Sequence, residues 1–367
     1  MNPLQQLLEH GQSFWLDDLT RDLIRKGELE RRIERYGLRG ITSNPSIFAK
    51  AISGSQAYQE AIDRLARQGL SAGAITEALT VEDVRAACDV MRAVYDGSDG
   101  MDGLVSLEVS PHLAHDPDAT LDEARRLFAA VGRPNVLIKI PGTPACVPAV
   151  EGALAAGINV NITLLFSISS YLAVARAYHT ALDRRLAAGQ DITRVRSVAS
   201  FFLSRIDVMV DEELARPGHP EAGALEGRSA VANAKLAYKA LHETLRQPRW
   251  RTLASRGARV QRLLWASTST KSPGASDVKY VEPLIGPDTI TTLPWETAEA
   301  FADHGIAART VDEGVEDAER LMDRLGEAGV DFDAVTERLL VQGIDKFVKP
   351  FDQLVDVVDQ RRKAVVA

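Results

Sequence analysis

Eight short apolar runs, separated for the most part by stretches of helical periodicity, limit what this chain can fold into more than any other feature. The runs lie near residues 14, 41, 104, 136, 159, 196, 261 and 289. Strands and helices in alternation imply parallel strands joined by right-handed crossovers. Eight such units are the number that closes a (β/α)8 barrel. The fold class expected is therefore α/β: a single (β/α)8 TIM barrel over residues 1–367, with additional helices inserted and at the termini. Residues 46–100, between the second and third runs, read as a helical insertion within that barrel. The tail from Val311 onward also reads as helical. Thr120 and Glu123 have the spacing of a capping box that opens a helix closed by Gly132. The irregular stretch 271–287 is a candidate lid.

Composition narrows the class further. Apolar residues make up 45% and charged residues 26% of the 367 positions, enough apolar surface to offset the entropy of ordering. With 51 acidic against 43 basic side chains the net charge is −8, the wrong sign for a phosphate backbone, so no nucleic-acid partner is expected. No run of about 20 apolar residues would span a membrane. Residues Met1 to His10 lack a charged and then apolar leader, so a cytoplasmic location is expected. The two cysteines, Cys88 and Cys146, form no CxxC pair and read as small buried residues. His112 and His115 make an HxxH in a loop flanked by Pro111 and Pro117, a weak metal signal, and no metal is assigned. Neither GxGxxG nor a Walker A run occurs, so no nucleotide cofactor is expected. Apolar helix faces serve cores and interfaces alike, and no oligomeric state is assigned.

Strands of a parallel barrel should be nearly continuous Val/Ile/Leu, because both faces are covered. Several runs here break that rule at fixed parity. In Val136-Leu137-Ile138-Lys139-Ile140 the lysine alternates with two isoleucines. If those isoleucines face the helices, Lys139 points into the barrel. Glu108 alternates with Leu107 and Val109, and shares a face with Ser106 and Ser110. Asn159, Asn161 and Thr163 share the inward parity of the fifth run. Asp17 is read into the first strand and Asn44 at the end of the second, with Ser200 in the sixth and Ser267 after the seventh. Such a set near strand C-termini is where (β/α)8 enzymes keep their chemistry.

The chemistry that suits these residues is imine formation. A lysine attacks a carbonyl only when deprotonated, and a dry site favours the neutral amine. The protonated imine then draws electrons from a neighbouring C–C bond. Proton movement needs a placed carboxyl group such as Glu108 or Asp17. Asn44, Asn161, Thr163 and Ser200 are neutral groups suited to sugar hydroxyls. No metal or cofactor is required.

The same residues lie in stretches similar to a known family. Gly40-Ile41-Thr42-Ser43-Asn44-Pro45-Ser46-Ile47-Phe48 resembles the N-terminal signature of transaldolases. Val136-Leu137-Ile138-Lys139-Ile140-Pro141-Gly142-Thr143 resembles their Schiff-base segment, and Asn161 to Ser167 the strand that follows. The likeness extends through Ser200–Arg205 and Trp265–Thr268. It implies a single (β/α)8 barrel that moves a dihydroxyacetone unit from sedoheptulose 7-phosphate to glyceraldehyde 3-phosphate, in the non-oxidative pentose phosphate pathway. It implies Lys139 as the imine-forming lysine. Asp17 would assist proton transfer at the C–C bond, and Glu108 would act through a water held with Thr163. Asn44 and Asn161 would hold hydroxyls, while Ser200, Arg205 and Ser267 would lie toward the phosphate. One position departs: many relatives carry arginine where this chain has Ser269. Lys271 is the candidate to supply that charge. Of the adjacent Asp17 and Asp18, parity allows one inward, and the resemblance favours Asp17. Two other readings stay open, a Schiff-base aldolase acting on fructose 6-phosphate and a non-catalytic sugar-phosphate binder.

Overall fold

Each of the eight apolar runs forms a strand. In the computed structural model, which describes residues 2–215, 222–271 and 274–366, they are β1 (Gln12–Leu16), β2 (Gly40–Ile41), β3 (Leu104–Glu108), β4 (Val136–Pro141), β5 (Val160–Leu165), β6 (Ser197–Phe202), β7 (Arg262–Ala266) and β8 (Thr289–Leu293). All neighbours pair in parallel, and β8 closes on β1, giving a barrel in sequence order. Helices cover the outside, so the apolar residues of both strand faces are buried, which is why the strands are mostly apolar and the polar residues within them stand out.

The barrel closes tightly at its shortest strand. Trp15 is paired in register with Gly40, and a Cβ on Gly40 would lie 2.3 Å from the Trp15 indole. Only glycine lets that ring, fully buried, pass beside β2. After β2 the chain builds helices Pro45–Gly54, Gln59–Arg67, Ala72–Val90 and Arg92–Gly97 before returning as β3. The last helix, Phe332–Val366, packs on the first three of these, on helix Ser204–Leu214 and on β5. It thus folds back across the barrel end where the strands terminate.

Four local expectations are corrected. Asp17 lies one residue beyond β1, and Asn44 is the N-cap of helix Pro45–Gly54, accepting from the Ile47 N–H at 3.0 Å. The helix after β3 starts at Pro117 with Asp116 as its cap. Thr120 sits inside it, donating to the Leu113 carbonyl, and Glu123 accepts from the Ser110 N–H, so they form no capping box. Asn159 precedes β5 and binds backbone at the opposite end of the barrel: its amide donates to the Pro134 and Val136 carbonyls and accepts from the Arg196 N–H. In the stretch 271–287, residues 272 and 273 lie outside the described residues. Its later part is fastened, because Lys279 Nζ and Tyr280 Oη both donate to Asp207 Oδ2 at 2.8 Å.

The N-terminal end of the barrel is plugged by two arginines. Arg262 donates to Ser13 Oγ at 2.9 Å and to Asp102 Oδ1 at 3.1 Å, and also to the Met101 carbonyl. Arg196 donates to the Gly100, Asp99 and Thr193 carbonyls at 2.8, 2.7 and 2.6 Å. Cys88 and Cys146 are buried and free. Among the described residues no helix is long and apolar enough to cross a membrane.

Candidate active site

Strand register assembles the site. Glu108, Lys139 and Asn161 are register partners across β3, β4 and β5, so three inward side chains form one row. Lys139 is 5% exposed. Its Nζ lies 3.5 Å from Glu108 Oε2 and donates to the Ser43 carbonyl at 3.2 Å. Neither Glu108 oxygen has a hydrogen-bond partner, although the side chain is buried. Burial pushes the Glu108 carboxyl up to about 7 against the pull of the Lys139 ammonium, with the Asp17 carboxylate adding to the rise. At neutral pH that carboxyl can both give and accept a proton.

A cavity of about 810 Å³ opens above this row at the C-terminal end of the strands. Its wall carries Asp17, Asn44, Lys139, Thr163, Ser200, Arg205, Ser267 and Lys271. Of the ten residues to which the sequence assigns a catalytic or binding role, only Glu108 and Asn161 are missing from that wall. Asn161 is fully buried beneath it, donating to Ser106 Oγ at 3.0 Å and accepting from Ser200 Oγ at 2.7 Å. Asp17 accepts from Thr42 Oγ1 at 2.9 Å, which holds its carboxylate at the cavity edge. Asp18 is absent from the cavity wall. Its carboxyl is raised by burial, partly opposed by the Arg32 guanidinium and reinforced by Asp17.

Two features mark the cavity as more than a gap in packing. Thr163 Oγ1 is buried without a partner, and the chain bends just beyond it: β5 shifts register against β6, and Leu164 takes φ 61°. A non-glycine residue in the left-handed region is strained, and such strain gathers at functional sites. Ser267 has φ 58°, and its hydroxyl meets Ser204 Oγ at 2.9 Å. On the far wall Arg205 sits over the Phe202 ring at 5.4 Å from its centroid, with Nη1 buried and unpartnered. Burial lowers the tendency of this guanidinium to hold its proton, yet an arginine stays charged, so an unmatched positive charge faces the cavity. Lys271 is exposed at the rim, donating to Ser269 Oγ at 2.7 Å.

Sequence reasoning missed Ser43 and Phe347. Ser43 acts on Lys139 through its backbone carbonyl, which no side-chain pattern announces. Phe347 belongs to the C-terminal helix, and its ring centroid lies 5.4 Å from Lys139 Nζ. Nothing local marks it, since it reads as an ordinary apolar helix position. The HxxH pair plays no part in the cavity: His112 Nε2 meets Asp352 at 2.7 Å.

Residues 14–358 match the model of one family, described as transaldolase/fructose-6-phosphate aldolase. The chain belongs to the transaldolase/fructose-6-phosphate aldolase family. A transaldolase 2 of Nostoc sp. is 48% identical, over 99% of this chain and 98% of its own. A transaldolase of Parafrankia sp. is also 48% identical, over 98% of both chains. One of Thiobacillus denitrificans is 48% identical over 96% of this chain and 99% of its own. Agreement over the full length makes this chain an enzyme of carbohydrate metabolism with transaldolase activity.

Proposed function

We propose that the enzyme transfers a dihydroxyacetone unit from sedoheptulose 7-phosphate to glyceraldehyde 3-phosphate through an imine on Lys139, giving erythrose 4-phosphate and fructose 6-phosphate. On this reading it would act in the non-oxidative pentose phosphate pathway, and two buried cysteines without a disulfide are compatible with a reducing cytoplasm. The observation that carries the reading is a buried lysine 3.5 Å from a buried, otherwise unpartnered carboxyl group at the C-terminal face of a barrel.

The neutral Lys139 amine adds to the ketose carbonyl, and the nitrogen's surplus proton passes to the new hydroxyl. Glu108 then protonates that hydroxyl, water departs and the protonated imine forms. Thr163, with its free hydroxyl beside the row, holds the water that shuttles these protons. Asp17 takes the proton of the sugar hydroxyl whose carbon leaves as an aldehyde. The electrons of the broken C–C bond move into the imine and leave an enamine. The acceptor aldehyde meets that enamine, Asp17 returns the proton and water releases the product from Lys139. Asn44 orients hydroxyls near the imine. Asn161 acts from below, because its amide is already bonded to Ser106 and Ser200. Arg205, Ser267 and Lys271 receive the phosphate, and Lys271 replaces the charge that Ser269 lacks.

The test is borohydride reduction in the presence of fructose 6-phosphate, followed by mass measurement and peptide mapping. A sugar adduct on Lys139 is expected; no adduct, or one on another lysine, overturns the reading. Incubation without acceptor separates transfer from aldol cleavage. The enamine should stay on the enzyme, whereas abundant free dihydroxyacetone would assign the aldolase reaction instead.

A further inference from the structure

β2 is two residues long, and its ladder with β3 ends at Ile41 opposite Val105. The chain nevertheless stays beside β3 for two more residues. Ser43, fully buried, donates its hydroxyl to the Ser106 carbonyl at 2.7 Å, in place of the next ladder bond. On the other side the Thr42 N–H donates to the Leu16 carbonyl at 2.8 Å. Ser43 is therefore tied to β3 by its own hydroxyl, while its neighbour Thr42 is tied to β1 by a backbone bond. The carbonyl of this same residue accepts from Lys139 Nζ.

A neutral amine has two N–H bonds and one lone pair. With one N–H on the Ser43 carbonyl and the other toward Glu108, the lone pair is left for the cavity, where the substrate carbonyl arrives. Without the Ser43 contact only Glu108, 3.5 Å away, would restrain the amine as it turns about its last carbon bond. Holding reactants in one attack geometry is worth orders of magnitude in rate.

We propose that Ser43 is a positioning residue for imine formation: its hydroxyl, anchored on the Ser106 carbonyl, fixes its own carbonyl where it aims the Lys139 lone pair at the substrate. This rests on Lys139 being the nucleophile. The C–N bond forms from the nitrogen pair, the carbonyl π pair moves to oxygen, and the proton shed by nitrogen ends on that oxygen.

The test compares S43A, S43C and S43T in single-turnover borohydride trapping with fructose 6-phosphate, alongside steady-state kcat and KM. A thiol is a weak donor that fills the site at least as fully as the hydroxyl, so S43C separates loss of the bond from the gap left in S43A. S43A and S43C should form the adduct about tenfold more slowly, with KM within about twofold of wild type, and S43T should recover most of the rate. Wild-type trapping rates in S43C, or a KM that rises in step with the loss of rate, would overturn the proposal. If S43A fails to fold, S43C and S43T carry the comparison by themselves. Absence of any Lys139 adduct in the wild-type enzyme would instead remove the Schiff-base reading, which separates the two failures.

Discussion

The two ends of the barrel both bury charge, and they treat it in opposite ways. At the N-terminal end Arg196 donates to four carbonyls, and Arg262 reaches a hydroxyl, a carbonyl and the Asp102 carboxylate. At the C-terminal end both Glu108 oxygens and Arg205 Nη1 lack partners, and Lys139 stands 3.5 Å from its carboxylate. A buried charge without partners costs free energy, whereas a fully bonded one does not lose stability until a partner is removed. The first end is built to hold, and the second keeps its bonding capacity for a substrate.

Substitutions should separate the ends. Lys139→Met should cut transaldolase turnover below about 1%, because no other amine lies in the row. Its thermal midpoint should stay level or rise, since a costly buried amine is replaced by an apolar chain of similar volume. A clear drop in midpoint would show that the active end also carries stability.

Arg262→Met should do the reverse. It strands Asp102 in the interior and should cost about 3–5 kcal/mol in urea unfolding, while turnover of the folded enzyme stays near wild type. A stable variant that loses turnover would erase the contrast between the ends.

Glu108→Gln should slow imine formation by about 10²-fold with little change in KM. It also carries a pH signature. The Glu108 carboxyl titrates at about 7 in the folded protein, above its ordinary 4.5, so the folded state binds this proton more tightly than the unfolded one. The stability this provides is complete below about 4.5 and is lost as pH rises through about 7. Urea midpoints of wild type should therefore fall relative to Glu108→Gln between these pH values. Parallel curves would argue against an unpartnered carboxyl.

The smallest effect is expected at the rim. Lys271→Ala should raise KM for phosphorylated sugars about tenfold and leave kcat in place. An unchanged KM for both substrates would leave the phosphate to Arg205 and Ser267.

Much of this was legible in the chain. Each strand came from an apolar run bounded by turns, and Lys139 stood out because a charge interrupts a strand buried on both faces. The inward row of Glu108, Lys139 and Asn161 followed from alternation along each strand. Positions at strand ends were less legible: parity carried Asp17 and Asn44 into strands that stop one and three residues earlier. Thr120 and Glu123 had capping spacing, but Asp116 had already capped the helix. Asn159 shared the parity of Asn161 and Thr163, yet it lies just before that strand at the other end of the barrel, where its amide ties down backbone.

Local pattern alone determined the eight-stranded parallel barrel and the inward row of Glu108, Lys139 and Asn161, because side-chain alternation and crossover handedness act over short lengths of chain. Tertiary structure alone decided how far Lys139 lies from Glu108, which carbonyl holds its amine, and that Phe347 from the last helix lies over it. Those are distances between segments far apart in sequence, set by how the barrel closes and how the tail returns across it, and no periodicity within either segment encodes them.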